Sequence, residues 1–265
     1  MHAFEYHRPA TAKDAIGLAA KKQEARYLAG GQSLVQAMKL RLSSPSDLID
    51  LGTIKDLSFV RAGKDGVEIG AMARHAEVAA SHEVQRAIPA LAALAAMIGD
   101  RQVRHMGTLG GSLANSDPAA DYPAAALGLG ATIVTNKRKI EADKYFKGLF
   151  ETALEPGELI TSVSFPAPKR AGYSKFKNPA SRFALVGVFV ADFGNAVRVA
   201  VTGAGPCAFR QADMEKALAA KFAADSLASI KVKADGLNND LHATPEYRAH
   251  LIGVMARRAV EAALK

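Results

Sequence analysis

An α+β fold in two units is what this sequence predicts, and three observations carry the prediction. Helical and extended apolar spacings alternate along the first two-thirds of the chain. Two prolines, Pro166 and Pro168, interrupt the alternation. The segment beyond them holds two apolar, β-rich runs and then two helical stretches. With 265 residues, 49% of them hydrophobic, the chain can bury a sizeable core as one large domain or two of ordinary size.

The first helix is expected from Thr11 to Lys22, where Thr11 and Asp14 have the spacing of a capping pair. A short apolar run, Arg26 to Ala29, leads into a Gly-Gly turn, and helical spacing resumes from Ser33 to Leu42 through Leu34, Ala37 and Met38. Pro45 stops that helix before the strand-like Asp47 to Leu51. Leu57 to Arg61 and Val67 to Ala71 flank the turn signal Lys64-Asp65-Gly66 and read as a hairpin, and Pro89 opens an apolar helix to about Ile98. After a second glycine-rich stretch, Gly107 to Gly111, a helix is expected at Pro123 to Leu129 and strands at Ala131 to Thr135 and Glu158 to Phe165. Past the prolines, strands are expected at Ala184 to Phe193 and Ala196 to Thr202, and helices at Asp213 to Phe222 and Tyr247 to Leu264. The polar Asp225 to His242 reads as loop. The division is residues 1–166, with subdomains of about 1–52 and 53–166, then residues 167–265.

No run of eighteen apolar residues occurs, and the opening MHAFEYHRPATAKD lacks the basic-then-apolar order of a signal peptide, so a soluble cytoplasmic protein is expected, not an integral membrane one. The single cysteine, Cys207, can form no internal disulfide and cannot supply the four thiolates an iron–sulfur cluster usually needs. It follows Gly205-Pro206 with no nearby base, which fits a quiet structural thiol. The net charge of +8 is dispersed in short groups such as Lys21-Lys22 and Lys137-Arg138-Lys139, with little interleaved aromatic character, which argues against nucleic acid and fits a solvated surface or an acidic partner. His75 and His105 lack the paired spacing of metal ligands, and no Asp or Glu pair forms an acid–base motif.

The most informative feature is a near-repeat of chemistry. Ala29-Gly30-Gly31-Gln32-Ser33-Leu34 follows a strand, and Thr108-Leu109-Gly110-Gly111-Ser112-Leu113-Ala114-Asn115 follows a helix. Missing side chains let a phosphate approach main-chain N–H groups, while Ser33, Thr108, Ser112 and Asn115 add polar donors. Two such loops suit the two sides of one diphosphate. Neither is the G-x-G-x-x-G fingerprint nor a P-loop, which disfavours a classical dinucleotide fold or an NTPase.

These loops, with Gln102 to Pro123 (QVRHMGTLGGSLANSDPAADYP), Glu155 to Pro166 (EPGELITSVSFP) and the tail from Asp240 to Ala259, resemble the FAD-binding medium subunits of the carbon monoxide and xanthine dehydrogenase type of molybdenum hydroxylase. The resemblance spans essentially the whole chain. It implies a two-subdomain FAD-binding domain of the PCMH type, then a smaller C-terminal flavoprotein domain of β-sheet plus helices. It also implies an electron-transfer role. Electrons released at a molybdenum cofactor on a large subunit would pass through [2Fe-2S] clusters on a small iron–sulfur subunit, reach FAD on this chain and leave to an external acceptor, in a dimer of heterotrimers. A free-standing FAD-dependent oxidoreductase of the same fold superfamily is the alternative.

By the same resemblance, Ala29, Gly30, Gly31, Gln32, Ser33 and Leu34 would hold the FAD diphosphate together with Thr108, Gly110, Gly111, Ser112 and Asn115. Asp121 matches a position touching the flavin nucleotide, where a carboxylate suits a ribityl or ribose hydroxyl. Ile98 matches a position packing on the adenine side, and Ile160 one where main chain reaches the isoalloxazine. Lys177 matches a position near the ring's polar edge, where a cation favours the reduced flavin. Phe183 matches an aromatic position that shields the ring in some relatives. Arg182 departs from the acidic residue that many relatives carry just before it.

Overall fold

A computed structural model covers residues 1–265. The chain opens with a small parallel sheet. Strands β1 (Glu5–His7), β2 (Arg26–Leu28) and β3 (Asp47–Asp50) lie in the order β1-β3-β2, linked through helices α1 (Ala12–Lys21) and α2 (Leu34–Lys39). Thr11 caps α1 as its spacing predicts, accepting from the Asp14 N–H at 3.1 Å. Ala15, Ile49, Leu51, Ile54 and Leu57 form a compact core between α1, β3 and the turn that follows, together with Met72 and Leu159 from the next unit.

A five-stranded antiparallel sheet comes next, ordered β4-β5-β10-β6-β7 from β4 (Val60–Gly63), β5 (Gly66–Gly70), β6 (Thr132–Thr135), β7 (Lys139–Glu141) and β10 (Ile160–Pro166). β4 and β5 make the expected hairpin across Lys64-Asp65. Between β5 and β6 run six helices: α3 (His75–Ala80), α4 (His82–Ala87), α5 (Pro89–Ala96), α6 (Arg101–Met106), α7 (Leu109–Asn115) and α8 (Tyr122–Leu129). The second glycine-rich stretch therefore begins a helix, α7, capped by Thr108. A two-stranded ribbon, β8 (Phe146–Gly148) with β9 (Glu151–Thr152), completes this part.

The last sheet is antiparallel, β11-β12-β13-β14 in order, from β11 (Arg170–Lys177), β12 (Ala184–Asp192), β13 (Val197–Thr202) and β14 (Phe209–Arg210). α9 (Ala212–Ala220) and α10 (Pro245–Ala263) cover one face. α10 buries Ile252, Met255, Ala256, Ala259 and Val260 at helical spacing, and each large apolar side chain so buried contributes about 1.5–3 kcal/mol. α8 covers the other face. All eight of its residues are buried, and the missing side chain of Gly128 lets it sit directly on Phe189 of β12. Along β12, Phe189 and Ala191 join the 33-residue core of the five-stranded sheet and its helices, while Val186, Val188 and Val190 join the core under α10.

Candidate cofactor-binding site

One cavity of about 720 Å³ lies among the β2–α2 turn, α7, the Asp117–Asp121 segment and the loops before β10 and β12. Its size is that of small-molecule and cofactor sites, roughly 300–1,000 Å³. Ala29, Gly30, Gly31, Gln32, Ser33, Leu34, Ile98, Thr108, Gly110, Gly111, Ser112, Asn115, Asp121, Ile160 and Phe183 all line it. Lys177 does not: it stands exposed at the end of β11, beyond a bulge in the β11–β12 ladder. The two glycine loops meet at this wall. A Cβ on Gly30 would fall 2.0 Å from the Met106 carbonyl oxygen, and one on Gly111 would press on Thr108 Oγ1 at 2.8 Å and the Ala29 methyl at 3.3 Å.

The loops differ in their hydrogen bonding. The N–H groups of Gly31, Gln32 and Ser33 have no partner within the chain, Gly31 turns through φ +71°, and the Ser33 hydroxyl makes no capping bond. In the second loop Leu109 and Gly110 donate to the Ala73 and Ala71 carbonyls at 3.0 and 2.8 Å, and Gly111 donates to Thr108 Oγ1 at 3.1 Å. The expectation that both loops present open amides thus holds only for the first, because main chain leaving β5 takes up those of the second.

Charged groups shape the wall from behind. Asp121 is buried, and its carboxylate accepts from the Tyr173 hydroxyl and, at 2.9 Å, from Lys175 Nζ. Burial pushes this carboxyl upward, and the Lys175 charge and Tyr173 hydroxyl pull it back. The side chain read as a hydroxyl acceptor for the cofactor therefore already serves two internal donors. Glu158 accepts from Arg138 at 3.0 and 3.1 Å, from Thr135 Oγ1 at 2.7 Å and from the Glu155 N–H at 2.8 Å. Burial alone would raise its pKa, but these donors outweigh burial and hold it at about 2, fixing the turn that delivers Ile160. His75, 5% exposed, packs its ring 5.3 Å from that of Tyr122, and its backbone N–H donates to the Gly107 carbonyl at 2.9 Å. Burial, helped by the nearby Arg104 charge, lowers it to about 4, so the ring is neutral at pH 7.

Sequence reasoning missed Lys175, Tyr173 and Phe150. The signal for the first two was present: in Arg170 to Lys177, positions 173 and 175 share a strand face, and a lysine on the inward face asks for a partner. A further pattern is visible only in the backbone. The four non-glycine residues with left-handed φ are Arg41, Ser116, Phe150 and Arg182. Phe150 and Arg182 line the cavity, and Arg41 and Ser116 each adjoin residues that do. Such conformations are costly for side chains of this size and concentrate at functional sites.

These observations fit a flavin dinucleotide: a largely apolar cleft, one loop of open amides with a free hydroxyl, and a second loop pressed against it. A model of the family described as the FAD binding domain in molybdopterin dehydrogenase matches residues 2–168. The chain belongs to that family. The carbon monoxide dehydrogenase medium chain of Afipia carboxidovorans is 35% identical, across 98% of this chain and 96% of its own length. The nicotine 6-hydroxylase medium subunit of Paenarthrobacter nicotinovorans is also 35% identical, across 97% and 96%. Among solved structures, reconstituted CO dehydrogenase from Oligotropha carboxidovorans superposes with a TM-score of 0.90 at 33% identity, covering 99% of this chain and 98% of that one. This protein is an FAD-binding oxidoreductase subunit of molybdenum hydroxylase type, and the resemblance, the α+β fold and the flavin cofactor stand as expected. No helix is long and apolar enough to cross a membrane.

Proposed function

We propose that this subunit transfers electrons within a larger complex: it receives them from iron–sulfur clusters on a small partner, holds them on FAD and delivers them to an external acceptor. Bound FAD supplies the step between one-electron and two-electron carriers. In this reading a large partner carries the molybdenum cofactor, the complex is a dimer of heterotrimers in the cytoplasm, and this chain comprises an FAD-binding domain (1–166) and a C-terminal domain (167–265). The observation that carries the reading is the convergence of both glycine loops, Ile98, Asp121, Ile160 and Phe183 on one cavity. Gly31, Gln32 and Ser33 would bind the diphosphate through open amides, and Thr108, Gly110, Gly111, Ser112 and Asn115 would complete its cradle. Ile160 would place main chain against the flavin ring, and Phe183 would screen it from water. Lys177 would act from the rim, reaching inward from the exposed end of β11. The names of the relatives differ in substrate, from carbon monoxide to nicotine, which fits a subunit that leaves substrate choice to another chain.

The test is an absorbance spectrum and acid-released flavin assay on the chain purified alone and with its native partners. About one FAD per chain in the complex, bleached by substrate only when the partners are present, is the expected result. Absence of FAD from both preparations sinks the cofactor assignment. Bleaching of the isolated yellow chain by an organic substrate would instead make it a free-standing flavin oxidoreductase.

A further inference from the structure

The Asp117–Asp121 segment is held almost wholly by the last sheet. Gly203 donates its N–H to the Pro118 carbonyl at 2.7 Å, Thr202 Oγ1 donates to the carbonyls of Pro118 and Ala120 at 2.9 and 2.6 Å, and the Ala184 N–H reaches Ala119 at 3.2 Å. Lys175 adds a link of another kind. Its side chain is 2% exposed, and its ammonium donates both to Asp121 Oδ2 at 2.9 Å and to the Met97 carbonyl at 3.0 Å. Met97 ends α5, and the next two residues, Ile98 and Gly99, line the cavity, as does Asp121. One buried cation therefore ties together two walls of the same cavity, and the Tyr173 hydroxyl, from the same strand face, holds the other carboxylate oxygen.

Stability alone is a weak reason for such an arrangement. Two charges removed from water lose about as much solvation as they regain by attraction, and apolar residues of similar volume often serve a fold equally well. A buried pair does impose geometry, because an ammonium with two fixed acceptors tolerates little change in their separation.

We propose that Lys175 is a positioning residue for the flavin cofactor: acting through Asp121 and the Met97 carbonyl, it fixes the spacing of the two cavity walls between which the cofactor lies. This inference rests on the FAD assignment above. It separates the roles of two lysines on one strand, with Lys175 setting the shape of the site from behind and Lys177 acting from the rim.

The experiment is a double-mutant cycle on the full-length chain with Lys175→Met, Asp121→Asn and both together. FAD affinity is read by fluorescence quenching, the visible absorption band of the bound flavin is recorded, and unfolding of the flavin-free protein checks folding. Lys175→Met is expected to weaken FAD binding at least tenfold and to alter the visible band in the otherwise unchanged chain, and to change affinity less than twofold once Asp121→Asn is present. Wild-type affinity and spectrum in Lys175→Met overturn the proposal, and so does an equal loss in both backgrounds, which would mean that Lys175 does not act through Asp121. If Lys175→Met does not fold, the cycle is run with Lys175→Gln, which keeps a donor. Failure of both to fold makes Lys175 a folding residue and also overturns the proposal. Failure of the unaltered chain to bind FAD removes the cofactor assignment itself, a result distinct from any of these.

Discussion

The two glycine loops of this protein look alike in sequence and differ in what their backbones do. At the first loop the amides of Gly31, Gln32 and Ser33 are unpaired, and the space a side chain on Gly30 would need is taken by the Met106 carbonyl, at the entry to the other loop. At Gly110 the amide is bonded inward to Ala71, which also fills the space beside its Cα. The first loop is open toward a ligand, while the second belongs to the frame that holds the first in place. Similar motifs therefore need not share a role, because which amides stay free is decided by main chain arriving from elsewhere, here the end of β5.

That contrast can be broken by substitution, and the largest effect is expected at the contact between the loops. In Gly30→Ala the new methyl meets a backbone carbonyl that cannot swing aside. A loss of at least about 3 kcal/mol of stability is expected, with no retained flavin, measured by thermal unfolding and flavin content. A folded, yellow Gly30→Ala protein would show that the loops can part without cost.

The next effect concerns the support of the second loop. His75 is held neutral at about 4 against an ordinary 6.5, so the unfolded chain takes up its proton first as the pH drops. Its contribution is complete above pH 6.5 and is lost as the pH falls toward 4, by about 3 kcal/mol in total. Melting temperatures from pH 7 to 4 should fall more steeply for the unaltered chain than for His75→Leu, and parallel slopes would remove His75 from the account.

The smallest effects sharpen the comparison most. Thr108→Ala removes a helix cap and should cost about 1 kcal/mol while leaving FAD affinity within about threefold. Ser33→Ala removes no capping bond, so stability should change by less than about 0.5 kcal/mol, yet FAD affinity should fall by about tenfold through loss of a hydroxyl donor to a charged ligand. Calorimetry and flavin titration on both variants check the pair; if Thr108→Ala loses more affinity than Ser33→Ala, the roles of the loops are reversed.

Legibility in the sequence followed the range of the forces involved. The Thr11 cap, the hairpin at Lys64-Asp65 and the long apolar strands β12 and β13 depend on near neighbours and could be read directly. β1, with only three residues, exists because Glu5 to His7 pair with Asp47 to Ile49, some forty positions away. The six-residue helices α4 and α6 escaped notice although Ser81 and Asp100 are legible caps, since two turns offer too little apolar periodicity to register. The predicted residues that line the cavity came from the glycine motifs and from motif resemblance, which preserves position. Lys175 did not, because its partners Asp121 and Met97 lie 54 and 78 positions away and depend on how β11 packs.

β12 finally bears on how the molecule can be taken apart. It is a party wall: one row of its side chains furnishes the room behind the cofactor cavity, and the opposite row furnishes the room under α10. A fragment ending near residue 166 would keep both glycine loops yet leave α8, buried on every side in the intact chain, bare along one flank. It would also lack Tyr173, Lys175 and Phe183. The stretch that carries the nucleotide-binding motifs is thus not a portable module, and grafting or expressing it alone should yield an adhesive, colourless protein unless the final sheet travels with it.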